Sequence, residues 1–303
     1  MKNIESSLTS LVSAFSRAYH VKEDYPIIFN DTVVQQLLSN DEYNAIAFNM
    51  AQGIHFFSSE MAEKLKGNDA AILKWVNQIQ LSPTPLARAA YAEKVVVNEI
   101  ELGAVQYVIL GAGLDTFAWR HSNPDVAIFE VDHPSTQQFK LQRLLQANLA
   151  CPDNLTFVAM DFTQELSLEK LLESGFDPNK KTVFTLLGVT YYLTKEILQQ
   201  LLDTLFKALP KGSSIIFDVA DERLFSEQGI FNRVQHMVQM AAASGEPMKF
   251  STTFSELEQL LADHQLLIYE HLSPQDIHQQ FFTNREDDLQ AFETIHYVHA
   301  VKK

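Results

Sequence analysis

Cysteine is almost missing. Cys151 stands alone among 303 residues, which excludes an internal disulfide and any metal site built on several thiolates, and makes a reducing cytoplasm the natural compartment. Nowhere do 18 apolar residues run together, and the opening MKNIESSLTSLVSAFSRAYH holds no unbroken apolar core, so neither a membrane span nor an export signal is expected. Basic runs are absent too. With 23 Lys and Arg against 38 Asp and Glu, the formal net charge is −15, which argues against nucleic acid or an anionic membrane as a partner. The ten histidines show no H-E-x-x-H or related spacing, so no metal is expected. No internal repeat or low-complexity segment occurs. What is present is apolar: 46% of the chain is hydrophobic, enough to bury a full core in one large domain or in one domain with a helical cover.

The most informative stretch is QYVILGAGLDTFAWR, from Gln106 to Arg120. An apolar run, Tyr107 to Leu110, stops at Gly111-Ala112-Gly113, the pattern of a buried parallel strand entering a tight turn. Glycine suits such a turn because φ > 0 costs it nothing and because a side chain would keep a ligand off the backbone. A dinucleotide site wants a third glycine for close helix packing, and Thr116 occupies that place. A second apolar run, VAIFEVDHP, ends in Asp132, with Glu130 two residues earlier on the same face. An acid at the end of the second strand accepts hydrogen bonds from ribose hydroxyls, so turn and acid together suit an adenosine-bearing ligand, and S-adenosylmethionine has no phosphate for that acid to repel.

LGAGLDTFAWR followed by FEVDHP resembles the class I S-adenosylmethionine-dependent methyltransferases of the leucine carboxyl methyltransferase family, including its bacterial, polyketide O-methyltransferase-like branch. The likeness runs from about Pro85 to Thr194 and is looser on both sides. It implies S-adenosyl-L-methionine as methyl donor, S-adenosyl-L-homocysteine as product, and a cofactor site at Arg88, Gly111, Ala112, Gly113, Asp132, His133, Asp161, Phe162 and Leu187. In the family an arginine at the place of Arg88 clamps the methionyl carboxylate, for which a guanidinium fork is well suited; an ion pair with Glu93 or Glu99 is the ordinary alternative. An acid at the place of Asp161 bonds the adenine amino group, and the next residue, here Phe162, packs along the ring. The family tends to carry an acid just before the glycine of the fourth strand. Here that residue is Leu187, which leans toward the bacterial branch and away from protein methylation.

Around this core, apolar positions Ile4, Leu8, Leu11, Val12, Phe15 and Tyr19 mark one face of an amphipathic helix. Residues 25 to 81 stay helical in pattern, with Asp31 as a cap and an aromatic group, His55, Phe56 and Phe57, that serves either as core or as a roof. Pro83 and Pro85 break the pattern. Pro134 opens a helix with Ser135 and Gln138 at capping-box spacing and a stripe of Phe139, Leu141, Leu144, Leu145 and Leu149. Gly188 turns the chain after the fourth strand, ahead of Tyr191 and Tyr192, and Tyr192 is placed at the reaction centre. Residues 221 to 250 read as a helical insertion whose methionines, Met237, Met240 and Met248, line a substrate surface or fill a core.

The alternation of elements predicts an α/β fold with a doubly wound, Rossmann-like, mostly parallel sheet of seven strands, and the resemblance to class I methyltransferases implies that the last strand is antiparallel. It divides the chain into a helical cover at 1–84 and a methyltransferase domain at 85–303. Methyl transfer to a carboxylate or hydroxyl of a small molecule follows as the expected reaction, with a base from His55, His133 or Tyr192 only for a hydroxyl. Methylation of a protein C-terminal carboxylate, an NAD-dependent oxidoreductase and a noncatalytic binding protein are the alternatives.

Overall fold

Apolar residues on both faces of each central strand, rather than on one, dictate a sheet covered on both sides. A computed structural model describes residues 5–161 and 166–303; its helices are α1 (Glu5–Glu23), α2 (Asn40–Gln52), α3 (Ile54–Phe57), α4 (Ser59–Lys64), α5 (Asp69–Val76), α6 (Pro83–Glu101), α7 (Phe117–Arg120), α8 (Pro134–Gln146), α9 (Leu168–Glu173), α10 (Lys195–Phe206), α11 (Arg233–Ala243), α12 (Phe254–Asp263) and α13 (Pro274–Phe281). The strands are β1 (Gln106–Leu110), β2 (Ala127–Asp132), β3 (Leu155–Ala159), β4 (Thr182–Leu186), β5 (Ser214–Ala220), β6 (Leu266–Leu272) and β7 (Ile295–Lys302). They form one sheet in the order β3-β2-β1-β4-β5-β7-β6, with β7 antiparallel to both neighbours and the other pairs parallel. The expected doubly wound, seven-stranded fold is what forms.

Within β1 the alternation is direct. Tyr107 and Ile109 join Leu86, Tyr91 and Val95 of α6 on one face, while Val108 and Leu110 join Leu198, Leu201 and Leu205 of α10 and Leu257 and Leu261 of α12 on the other. The register aligns Val158, Val131, Leu110, Leu186 and Phe217 across β3, β2, β1, β4 and β5. One residue further along, Asp132, Gly111, Leu187 and Asp218 therefore share a level at the carboxyl edge of the sheet, where open α/β sheets hold their ligands.

Four local readings are sharpened. The helical pattern does break after Leu81, and Pro83 and Pro85 follow the break. They begin α6, where a proline lacks only an N–H that has no intrahelical partner. The cap of α8 is His133, whose Nδ1 accepts the Ser135 N–H, and not Ser135. Its buried side is Thr136, Lys140 and Leu144, with Leu145 exposed. Phe56 and Phe57 pack on His236 of α11, away from the cavity described below. The three methionines fill cores: Met248 is buried, and Met237 and Met240 pack against apolar clusters. Among the described residues no helix is long and apolar enough to cross a membrane, and no three His, Cys, Asp or Glu side chains gather as metal ligands.

Candidate active site

A cavity of about 680 Å³ opens over the carboxyl ends of β1, β2 and β4. Its floor begins at the turn after β1. Gly111 and Gly113 both take positive φ, 74° and 50°, as the two-glycine pattern requires. The Gly113 N–H donates to Asp132 Oδ2 at 2.5 Å, and the His133 N–H donates to Oδ1 at 2.7 Å. Burial raises the Asp132 carboxyl above its ordinary range, against the downward pull of these two amides. Asp132, His133, Asp161, Ala112 and Leu187 all line the same cavity.

Glu130 does not join them. It is buried below the turn and ion-paired with Lys140, whose ammonium also donates to the Asp115 carbonyl at 2.7 Å and lies over the Trp119 ring. Burial lifts the Glu130 carboxyl to about 7, with Lys140 opposing. The pair props the turn from beneath.

The second wall is built around Asp218, which is fully buried in β5. Its Oδ1 accepts the Gly188 N–H at 2.6 Å. Its Oδ2 accepts the Tyr191 hydroxyl and Arg88 Nη1, the latter at 3.1 Å. Arg88 reaches this point from α6, and its guanidinium lies against the backbone of Gly188 so closely that a β-carbon there would sit 2.5 Å from both Nη atoms. Burial disfavours the charge on Arg88, but Asp218 and Tyr191 more than offset it, so the guanidinium stays charged. Both described bonds use Nη1; Nη2 has no hydrogen-bond partner among the described residues. The expected alternatives for Arg88 are filled by others: Glu93 pairs with Arg120 and His121, and Glu99 with Lys181.

The roof is α1, which contributes Ser10, Ser13 and Arg17. Arg17 is ion-paired with the buried Asp31 and donates to the Leu114 carbonyl at 2.8 Å, so the helix is fastened to the glycine turn itself. Asp31 Oδ1 also accepts the Val34 N–H, but the cap position of the short 3-10 helix Val34–Leu37 is held by Val33 and not by Asp31 as expected.

A family model, "Leucine carboxyl methyltransferase", matches residues 10–206. The chain belongs to the leucine carboxyl methyltransferase family. It is accordingly an S-adenosylmethionine-dependent methyltransferase. It is 58% identical, over the whole of both chains, to a Bacillus subtilis protein provisionally named S-adenosyl-L-methionine-dependent methyltransferase YktD. A Mycobacterium marinum protein with the same provisional description is 31% identical over 52% of this chain and 50% of its own. A DUF574 family protein from Streptomyces avermitilis superposes with a TM-score of 0.54 at 16% identity, covering 82% of this chain and 90% of its own, a likeness of fold.

Of the residues singled out in the sequence, Arg88, Gly111, Ala112, Gly113, Asp132, His133, Asp161, Leu187 and Tyr192 line this one cavity. Phe162 lies outside the described residues. His55, considered as a base, is on α3 and does not reach the cavity. Asp218, Tyr191, Arg17 and Lys249 went unrecognised. Asp218 had one available signal, an acid inside the otherwise apolar SIIFDVA.

The site fits the methyl donor. The positive-φ turn at Gly111 and Gly113 lines the cavity, Asp132 and Asp161 line it beside that turn, and Arg88 keeps Nη2 without a hydrogen-bond partner among the described residues.

Proposed function

We propose that this methyltransferase acts on a carboxylate oxygen of a small molecule. In this reading the Gly111–Gly113 turn and Asp132 hold the ribose, Asp161 holds the adenine, and Arg88 clamps the methionyl carboxylate through Nη2. When bound, S-adenosylmethionine supplies a methyl group already activated on a sulfonium. The chain's own task is then positioning, which can contribute roughly 7 to 11 kcal/mol when reacting atoms are held in line. Helices of residues 1–84 serve as the cover, with Arg17 fastening α1 over the turn and excluding water. The insertion at 221–250 closes the opposite rim through Gly245 to Lys249.

One observation carries the preference for a carboxylate. Tyr192, beside the cavity, has its phenol pushed up to about 12 by burial, so near neutrality it is a hydrogen-bond donor and not a base. His133, the cavity's described histidine, is engaged with Ser135 at 2.7 Å and stands at the β2 end, across β1 from Tyr192. A carboxylate acceptor, with a pKa of about 4, is ionised without help; an alcohol or phenol wants a base. A cavity of this size suits a small acceptor.

Incubation with methyl-labelled S-adenosylmethionine and a panel of small carboxylic acids and phenols tests this. Label that enters the small-molecule fraction and is released by mild alkali, as from a methyl ester, is the expected result. Alkali-stable label, or label confined to protein, overturns it.

A further inference from the structure

Three cationic side chains reach the cavity wall: Arg17, Arg88 and Lys249. Buried aspartates neutralise the first two, Asp31 for Arg17 and Asp218 for Arg88. Lys249 is different, because its ammonium makes no hydrogen bond or ion pair with a described residue. Its backbone is nonetheless fixed. The Lys249 and Phe250 N–H groups both donate to the Tyr191 carbonyl, at 2.6 and 3.2 Å, and the Thr252 N–H donates to the Ala220 carbonyl at 3.1 Å. Met248 and Phe250 on either side are buried in the two main cores. The segment therefore alternates in, out, in: Lys249 is exposed between two buried neighbours and lines the cavity rim, stitched to the same turn that carries Tyr192.

We propose that Lys249 holds the anionic group of the methyl acceptor, so that the acceptors are small organic acids selected by this ammonium; this rests on the methyltransferase reading above. An ammonium binds as a point charge through single donors, which leaves the second oxygen of a carboxylate free to face the donor. Phe29, Val189 and Ile197 also line the cavity, and their apolar side chains receive the remainder of the molecule. The net charge of −15 offers an anion no long-range attraction, and beyond about 8 Å such fields are screened at physiological salt. Selection of an acid must then come from a cation at contact distance.

The test is calorimetric binding of matched pairs, benzoate and benzamide, 2-naphthoate and 2-naphthamide, octanoate and octanamide, to the full-length protein saturated with S-adenosylhomocysteine. At least one acid is expected to bind tenfold or more tighter than its amide. Lys249→Ala reduces that preference to threefold or less, Lys249→Arg restores it, and both variants bind S-adenosylhomocysteine as the native protein does. No acid outbinding its amide, or a preference that survives Lys249→Ala, overturns the proposal. A tenfold loss of S-adenosylhomocysteine in Lys249→Ala also overturns it, because the ammonium then serves the donor. If S-adenosylhomocysteine binds nowhere on the native protein, the methyltransferase reading itself fails, an outcome distinct from the others.

Discussion

Two glycine–aspartate pairs face each other at the edge of this sheet, and they differ in what the aspartate does next. At the end of β1 the Gly113 amide is held by Asp132, which lines the cavity and has no ion pair among the described residues. Past β4 the Gly188 amide is held by Asp218, which is sealed from solvent and bound to Arg88 and Tyr191. The same backbone device thus serves opposite ends: one acid stays available to a ligand, the other is consumed in aiming a cation. Charge balance decides which.

Removing Asp218 is the harshest way to break the second pair. Asp218→Ala leaves the Arg88 charge, the Gly188 N–H and the Tyr191 hydroxyl without their acceptor, and an expected loss of about 3 to 5 kcal/mol follows from breaking a buried ion pair on one side. Denaturant unfolding measures it, and the double variant Asp218→Ala, Arg88→Met should be more stable than the single one. The first pair answers differently. Asp132→Ala frees two backbone N–H groups but no cation, so it should cost less in unfolding than Asp218→Ala and roughly 1.5 to 3 kcal/mol of S-adenosylhomocysteine binding, the range for a buried acceptor that loses its role. Only the ionised carboxylate accepts from two ribose hydroxyls. Because burial raises the Asp132 pKa, binding should weaken as pH falls through a value above the usual carboxylate range, and Asp132→Asn should flatten that profile in calorimetry.

The glycines give the finest comparison. Gly188→Ala places its β-carbon 2.5 Å from the Arg88 guanidinium at φ +72°, whereas Gly113→Ala meets only the Ser10 hydroxyl at 3.0 Å at φ +50°. Both carry the left-handed cost of about 1 to 2 kcal/mol, and Gly188→Ala should lose more in thermal unfolding because it also displaces the buried cation. Equal losses would mean that Arg88 does not depend on that close approach.

The difference also explains what could be read in advance. The β1 half of the cavity is contiguous in sequence: strand, two glycines and a following acid lie within 27 residues, Gln106 to Asp132, and period-2 and turn chemistry expose them. The β4 half joins residues 88, 188, 191 and 218 only through the β4–β5 register and the packing of α6 against the sheet. The register that sets Leu186 opposite Phe217 is what brings Asp218 level with Leu187 at the cavity's edge. The doubly wound sheet was legible because helices and strands alternate so regularly, the antiparallel β7 only through the family resemblance, and the strand order was not legible. The face of α8 was not, because Lys140 occupies an inward position that hydropathy assigns to solvent, and only the buried Glu130 makes that tolerable.

Lys140 has a practical consequence for following this enzyme at work. Its ammonium lies 5.3 Å from the centre of the Trp119 ring while bonding the Asp115 carbonyl of the ligand turn. The other tryptophan, Trp75, packs against Phe231 in a separate cluster. A Trp75→Phe protein would therefore carry a single tryptophan beside the ligand turn, whose emission should respond to ligand binding there with no dye or label attached.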